Sequence, residues 1–173
     1  MTRKAVIITA QGFQDEEFIY PYYRLLEAGF LVDVATKDKS LVFGKFGVPA
    51  RPNISTVDLK AENYDLVFLP GGFEAPDRVR VLDEVLDFVR KMDSQNKLIA
   101  AICHGPWILI SAGITKGRKM TAYWSIEADV RNSGADYQHK VPVVIDGNLI
   151  TSPHYNNNGD FMKAVIAYFE PEK

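Results

Sequence analysis

Short apolar runs alternate with longer amphipathic stretches along the chain. Continuous apolar runs predict buried strands, whereas apolar residues spaced three and four apart predict helices. The predicted strands cover residues 4–10, 30–36, 64–69, 97–102 and 120–123, then 141–145 and 148–151 on either side of Asp146-Gly147, a hairpin signal. The predicted helices cover residues 15–28, 77–93, 105–112, 125–133 and 159–169. Residues 41–52 are rich in glycine and proline, and we expect a small hairpin or an irregular edge there.

The helix predictions rest on the spacing of apolar side chains. Phe18, Tyr22 and Leu25 share one face of the first helix. Gly29 follows where a helix commonly stops. In the second helix the shared face consists of Val81, Val85, Phe88 and Val89. Strands that alternate with helices predict an α/β fold with a mostly parallel sheet covered by helices on both faces.

Such a sheet places functional groups beyond the carboxyl ends of its strands. The segments that follow predicted strands in this chain are 11–17, 70–77, 103–105, 123–124 and 153–155. Every candidate for chemistry lies in one of these segments.

Composition narrows the class of protein further. The chain has 173 residues, 47% of them apolar and 24% charged, which suits one domain over residues 1–173 with a sizeable core. A formal charge of −2 argues against nucleic acid or an anionic membrane as a partner. No apolar run approaches the roughly 18 residues that span a bilayer, and the N-terminus is unlike a signal peptide, so we expect a cytoplasmic protein. A single cysteine excludes an internal disulfide and a cysteine zinc cluster.

That cysteine, Cys103, lies between a predicted buried strand and a predicted helix. The surrounding sequence is Ala100-Ala101-Ile102-Cys103-His104-Gly105-Pro106. Small residues around a reactive side chain at such a turn are typical of a nucleophile elbow. The positive end of the following helix would lower the pKa of the thiol and favour the reactive thiolate. The alternative is a buried, inert cysteine.

Histidines and backbone amides near this turn are further candidates. His104 is adjacent in sequence and could act as a general base or orient a substrate. His154 follows the last predicted strand and is a second candidate base; either histidine could instead be purely structural. The amides of Gly71 and Gly72, together with that of His104, could form an oxyanion hole.

Acidic residues at the start of predicted helices have two interpretations. Carboxylates there commonly complement the helix dipole or cap the helix. One of the acids in residues 15–17 could instead turn inward and hydrogen-bond Cys103, where desolvation would raise the pKa of the carboxyl group. Asp77 has the same ambiguity in the second predicted helix.

Several stretches together match a family pattern. They are Gln11-Gly12-Phe13-Gln14-Asp15-Glu16-Glu17, Tyr20-Pro21, Leu69-Pro70-Gly71-Gly72, Ala75-Pro76-Asp77-Arg78-Val79-Arg80, Ala101-Ile102-Cys103-His104-Gly105-Pro106, residues 109–113, and Gly117-Arg118-Lys119. In this order they resemble the PfpI family, the intracellular-protease-like branch of the Parkinsonism-associated deglycase superfamily. That superfamily is related in fold to class I glutamine amidotransferases, and the resemblance covers nearly the whole chain.

The resemblance implies a fold, an assembly and a set of site residues. It implies a flavodoxin-like three-layer sandwich that assembles as dimers or hexameric rings. It also implies that Cys103 is the nucleophile, that His104 is its partner and that Glu17 is the carboxyl against the cysteine. In the peptidase-like branch a neighbouring subunit supplies a further acid, and Asp77 matches that position.

This chain departs from the family pattern at the rim of the expected site. Asp77 is one methylene shorter than the glutamate that is frequent there. Many relatives have Ser-Arg after the last strand, where this chain has Ser152-Pro153-His154-Tyr155. Aromatic side chains could therefore contribute to substrate binding, namely those of Trp107, Tyr123, Trp124 and Tyr155.

Three functions are consistent with these residues. The leading hypothesis is a cofactor-independent enzyme that uses Cys103 to convert methylglyoxal or glyoxal to a hydroxy acid, or to remove glycation from proteins. The second is an intracellular cysteine peptidase, and the third is a redox-sensing or chaperone-like stress protein. We expect no metal, because adjacent ligands such as Cys103 and His104 rarely chelate one ion in good geometry.

Overall fold

The buried apolar runs form the strands of a central sheet. The computed structural model of the chain describes residues 2–170. The strands are β1 (Lys4–Ile8), β2 (Leu31–Thr36), β3 (Val42–Phe43), β4 (Pro49–Ala50), β5 (Ile54–Ser55), β6 (Leu66–Leu69), β7 (Leu98–Ile102), β8 (Lys119–Met120), β9 (Asp136–Tyr137), β10 (Val144–Asp146) and β11 (Leu149–Ser152). The main sheet has seven strands in the order β10-β11-β7-β6-β1-β2-β5. Its neighbouring strands are parallel, except for the antiparallel pair β10 and β11.

Helices cover both faces of this sheet. They are α1 (Asp15–Glu27), α2 (Glu74–Val79), α3 (Asp83–Ser94), α4 (Pro106–Ala112), α5 (Glu127–Asn132) and α6 (Asn158–Ala167). Apolar residues of α1 and α6 pack into one buried cluster, and those of α3, α4 and α5 pack into another. The fold is therefore the expected flavodoxin-like α/β sandwich. Within residues 2–170, no helix is both long and apolar enough to cross a membrane.

Strand β1 illustrates why the middle of the sheet is apolar on both sides. Val6 and Ile8 belong to the cluster that contains α3 and α4, whereas Ala5 and Ile7 belong to the cluster that contains α1 and α6. All four side chains are at most 1% exposed. A strand buried on both faces requires a continuous apolar run rather than alternation, as this sequence has.

The single helix predicted at 77–93 is wrong, because the chain forms two helices, α2 and α3, around this region. Leu82 in the connection has an extended backbone, with φ −91° and ψ 103°. Val81 continued the apolar spacing of α3, but its side chain is 72% exposed. Helix α3 has its own acidic first turn, Asp83 and Glu84, which complements its N-terminus.

The strand predicted at 120–123 is shorter than expected, since only Met120 belongs to β8. The backbone N–H of Thr121 donates to Thr151 Oγ1 at 2.9 Å, and that of Tyr123 donates to the Cys103 carbonyl oxygen at 2.9 Å. These bonds tie the segment to the ends of β11 and β7 instead of extending β8. The two expected hairpins are confirmed as the antiparallel pairs β3–β4 and β10–β11.

Parallel pairing brings the ends of several strands to one edge of the sheet. Leu69 at the end of β6 pairs with Ala101, and Ser152 at the end of β11 pairs with Ile102. The segments that follow β6, β7 and β11 therefore start side by side. This is the edge at which the sequence predicted the functional groups.

The turn after β7 leaves no room for a side chain at Gly105. A Cβ atom there would lie 2.4 Å from the carbonyl oxygen of Leu69 and 2.9 Å from that of Ile102. Both atoms are backbone atoms at strand ends and cannot easily move aside. We predict that Gly105→Ala lowers the free energy of unfolding by about 1–3 kcal/mol.

Urea denaturation measures this effect, and Gly159→Ala is the matched control. A Cβ atom at Gly159, in α6, would meet nothing within 4 Å. Alanine there should be neutral or should stabilise the protein by up to about 1 kcal/mol. Wild-type stability in the Gly105→Ala variant would contradict the prediction.

Candidate active site

Cys103 lies at the sharp turn between β7 and α4, in a backbone conformation that non-glycine residues rarely adopt. Its φ is 62°, a left-handed value that typically costs about 1–3 kcal/mol. The turn is held by three backbone bonds around it: Cys103 N–H to Ser152 O at 2.9 Å, Tyr123 N–H to Cys103 O at 2.9 Å, and Gly105 N–H to Ile102 O at 2.8 Å. The strained turn presents the thiol at the carboxyl edge of the sheet.

Of the three acids that open α1, Glu17 turns inward to this thiol. Its side chain is fully buried, Oε2 accepts a hydrogen bond from the Gly71 N–H at 2.8 Å, and the carboxyl group is hydrogen-bonded to Cys103. Within the described residues, Oε1 accepts no bond from a nitrogen or oxygen donor. Burial raises the pKa of Glu17 to about 8, so the carboxyl group holds its proton at neutral pH.

The expectation of a lowered thiol pKa is wrong for Cys103. Its side chain is 6% exposed, and desolvation together with the adjoining Glu17 raises the thiol pKa above the ordinary cysteine range. The N–H groups of Gly72 and His104 act in the opposite direction but do not prevail. A helix N-terminus stabilises a nearby negative charge by about 0.3–1 kcal/mol near the surface, which is less than about one pKa unit. Burial can shift a pKa by several units, so burial is the larger effect here. The resting site therefore holds a thiol beside a protonated carboxyl group.

His104 contacts the thiol through one ring nitrogen. Nδ1 lies 3.2 Å from Cys103 Sγ, and Nε2 lies 3.3 Å from Ser125 Oγ. The ring stacks on Tyr123 at 4.9 Å between centroids. Burial, with a smaller contribution from Lys45, lowers the pKa of His104 to about 4. The imidazole is neutral at pH 7 and can accept a proton from the thiol.

A cavity of about 490 Å³ opens above these groups. It is lined by Gln14, Glu17, Lys45, Phe46, Gly72, Phe73, Cys103, His104, Tyr123, Ser125, His154 and Tyr155. The structure thus brings together the predicted thiol, histidines, carboxyl group and Gly72 amide around one space. This volume suits a small molecule or a single side chain better than an extended peptide.

Stacked aromatic rings form one wall of the cavity. Tyr123 and Trp124 stack at 3.8 Å and Trp124 and His154 at 5.8 Å between centroids, and the rings of His154 and Tyr155 are tilted at 3.9 Å. His154 Nδ1 accepts a hydrogen bond from the Asn156 N–H at 3.2 Å, and burial lowers the pKa of its ring. His154 contributes to the wall, whereas His104 is the histidine in contact with the thiol.

Two tryptophans that the sequence placed at the substrate do not line this cavity. Trp107 packs against His104 at 5.0 Å between ring centroids, and its Nε1 donates to Asp129 Oδ2 at 2.8 Å. Trp124 is 59% exposed and stacks on two residues that line the cavity, Tyr123 and His154. Both tryptophans buttress residues that do face the cavity.

Two other predicted residues have different surroundings from those expected. The N–H of Gly71 donates to Glu17 Oε2, so Gly71 supports the carboxyl group rather than an oxyanion. A side chain at Gly71 would collide with that oxygen at 2.5 Å, which explains the glycine. Asp77 is exposed on α2 and is not among the described residues that line the cavity. Its expected contact across a subunit interface stays a prediction.

Sequence reasoning missed the contribution of the β3–β4 hairpin, which places Lys45 and Phe46 at the cavity. The hairpin is anchored by Asp15, whose carboxylate accepts the N–H of Phe46 at 2.9 Å and that of Val48 at 2.8 Å. The Lys45 N–H donates to the Phe13 carbonyl oxygen at 2.9 Å. The hairpin was predicted, but no pattern in its own sequence indicates that it folds over the N-terminal end of α1.

The chain is similar to proteins of one family along nearly its whole length. The sequence profile of the DJ-1/PfpI family matches residues 3–168. Deglycase PfpI of Pyrococcus furiosus is 41% identical over 151 residues, 87% of this chain and 90% of that protein. General stress protein 18 of Bacillus subtilis is 34% identical over 172 residues, 98% and 99% of the two chains. The putative cysteine protease YraA of the same organism is 33% identical over 153 residues, 88% and 89%.

Solved structures agree with the backbone described above. DJ-1beta of Drosophila melanogaster superposes with a TM-score of 0.91 at 31% identity, covering 97% of this chain and 90% of that one. A two-domain protein of Anabaena variabilis, with DJ-1/ThiJ/PfpI-like and ferritin-like domains, gives a TM-score of 0.94 at 36% identity. This chain covers 48% of that longer protein, and 96% of this chain is matched.

The raised pKa of Glu17 makes stability depend on pH. Its folded-state pKa of about 8 exceeds the ordinary value of 4.5, so its contribution to stability is present in full below pH 4.5 and is lost as the pH rises through 8. In a Cys103→Ser background, the stability of Glu17→Gln relative to its parent should therefore rise by roughly 2–5 kcal/mol between pH 4.5 and pH 9. Denaturant titrations at pH 5, 7 and 9 measure the difference. A difference that does not change with pH would show that Glu17 ionises normally.

The two bonds from Asp15 should hold the β3–β4 hairpin in place. Asparagine keeps only one acceptor oxygen, so Asp15→Asn should speed amide hydrogen exchange at Phe46 or Val48 by about tenfold. Asp58→Asn is the control, because that carboxylate is exposed and accepts no hydrogen bond from the described residues. Unchanged exchange at both amides in Asp15→Asn would contradict the anchoring role.

Proposed function

Because the chain belongs to the DJ-1/PfpI family, we propose that it is a cysteine-dependent enzyme that acts on small reactive carbonyl compounds, such as methylglyoxal and glyoxal, or on their adducts with proteins. One observation carries this proposal. A thiol at a small cavity contacts both a proton acceptor, His104 Nδ1 at 3.2 Å, and a protonated carboxyl group, that of Glu17. Both kinds of group accelerate the addition of a thiol to an aldehyde. The name of the relative Deglycase PfpI supports action on the adducts that such carbonyl compounds form with proteins.

The first step is addition of Cys103 to the aldehyde carbon. The sulfur–carbon bond forms, the carbonyl π electrons move to oxygen, and the thiol proton passes to His104 Nδ1 and from there to that oxygen. The product is a neutral hemithioacetal. Because the thiol pKa is raised, the proton leaves as the sulfur attacks rather than beforehand. The N–H groups of Gly72 and His104 lie at the sulfur and would stabilise negative charge that develops on the substrate oxygen.

The second step moves a proton between the two adjacent substrate carbons. A base removes the hydrogen from the carbon bonded to sulfur, and the electron pair passes to the neighbouring ketone, which becomes an enediolate. The former ketone carbon is then protonated, and the hydroxyl proton of the hemithioacetal passes to the former ketone oxygen, which gives a thioester. His104, which is neutral, is placed to take this proton, and Glu17, which holds a proton, is placed to donate one. Water then hydrolyses the thioester, releasing lactate from methylglyoxal and restoring the thiol.

A peptidase is the second candidate, favoured by the Cys103–His104 contact and by the name of the relative YraA. A dependable triad needs an acid on the histidine. Within the described residues His104 Nε2 contacts Ser125 Oγ instead, at 3.3 Å. Asp77 would complete a triad only from a neighbouring copy, in the dimer or hexamer that we propose for the assembly. A redox sensor has less support, because a buried thiol with a raised pKa reacts slowly with peroxide.

Lactate formation from methylglyoxal without glutathione tests the proposed function. We expect the wild type to form lactate and Cys103→Ser to form none, because serine is a far weaker nucleophile. Asp77→Asn should retain activity within about threefold, since carbonyl addition needs no acid on His104. Peptide hydrolysis that depends on both Cys103 and Asp77, with no lactate from the wild type, would favour the peptidase instead.

A further inference from the structure

The cavity contains one formal charge among its described lining residues, and that charge is positive. Glu17 is protonated at neutral pH, and the pKa of His104 and that of His154 are lowered, so both imidazoles are neutral. The thiol of Cys103 is also neutral at rest. Lys45 is therefore the charged group among the described lining residues; Glu16, which acts on Glu17 and His154, and Asp129, which acts on His104, are not lining residues.

The ammonium group of Lys45 has no carboxylate partner within the described residues. Its Nζ lies 3.4 Å from Gln14 Oε1, and 5.7 Å and 5.6 Å from the ring centres of Phe46 and Phe73. Gln14 is oriented by its own Nε2, which donates to Glu16 Oε2 at 2.6 Å. The nearest polar contact of the ammonium group is thus a neutral amide oxygen, which leaves its charge available to a ligand.

The position of Lys45 is fixed by its backbone. Its N–H donates to the Phe13 carbonyl oxygen at 2.9 Å, and Asp15 holds the following N–H groups of Phe46 and Val48. Asp15 is 5% exposed, so these bonds are shielded from water. A cation on an anchored loop is already near its bound position, which reduces the entropy lost when it contacts a ligand.

We propose that Lys45 binds an anionic group of the ligand, so that the cavity accepts neutral carbonyl compounds such as methylglyoxal but favours a carbonyl compound or product of similar size that carries a carboxylate. The ammonium group and the N–H groups of Gly72 and His104 all act on this cavity, and together they favour negative charge in it. That the ligand is a substrate rests on the proposed function. The charge preference of the cavity does not.

Alkylation of Cys103 by two reagents of similar size measures this preference directly. Iodoacetate is anionic and iodoacetamide is neutral; in both reactions the sulfur–carbon bond forms, iodide leaves and the thiol proton goes to the buffer. Because Cys103 is the only cysteine, intact mass follows its modification. We expect the ratio of the iodoacetate rate to the iodoacetamide rate to fall about threefold or more in Lys45→Met, as for loss of a partly exposed ion pair.

Two further variants distinguish this role from general effects. Lys45→Arg keeps the cation and should retain the wild-type ratio. Lys91→Met removes the same charge from an exposed position on α3 and should also retain it. In the wild type, added salt should lower the ratio, a readout that requires no variant. Equal ratios in the wild type and Lys45→Met, or a fall of equal size in Lys91→Met, would overturn the proposal.

These outcomes are separable from those of the proposed function, because alkylation requires no turnover. If no lactate forms but the ratio falls in Lys45→Met, the anion-binding role stands and the proposed reaction does not. If lactate forms and the ratio is unchanged, the proposed reaction stands and Lys45 has no such role.

Discussion

A buried carboxyl group, a thiol and a backbone amide meet at the edge of the sheet, and three separate segments depend on their contact. Glu17 comes from α1, Gly71 follows β6, and Cys103 follows β7. A charged carboxylate there would be costly to bury, so the carboxyl group holds its proton. The proton that makes this contact stable is also a proton available for chemistry at the sulfur.

The same burial explains why the site is neutral at rest. Desolvation raises the pKa of the carboxyl group and of the thiol, and lowers that of His104. A thiol at a helix N-terminus would be a thiolate only if the helix outweighed desolvation, and here it does not. In the reaction that we propose, nucleophilicity is therefore generated when a substrate arrives, by transfer of the thiol proton to His104. Such a site differs from one that stores a reactive anion, which would be exposed to oxidants.

The floor of the cavity, around Cys103, and its rim, around His154 and Lys45, are built from different kinds of residue. The floor is made of groups on strand ends and is held by short backbone bonds around Cys103. The rim combines aromatic rings packed around His154 with a cation, Lys45, on a hairpin that Asp15 anchors. Because the thiol and the Lys45 cation lie on different elements, we expect the proposed reaction and its proposed selectivity to be altered by different residues.

The order of elements and the position of Cys103 could be read from the sequence, because apolar periodicity and the strand–turn–helix pattern are local properties of the chain. Glu17 and the glycines were also identified, through their place after strand ends and through the family resemblance. The break between α2 and α3 was missed, since Val81 continued an apolar pattern that its exposure contradicts. The raised thiol pKa, the displacement of Trp107 and Trp124 from the cavity and the contribution of Lys45 were decided only by the tertiary structure. Desolvation and cavity walls arise from residues distant in sequence, and no local pattern encodes how closely such residues pack.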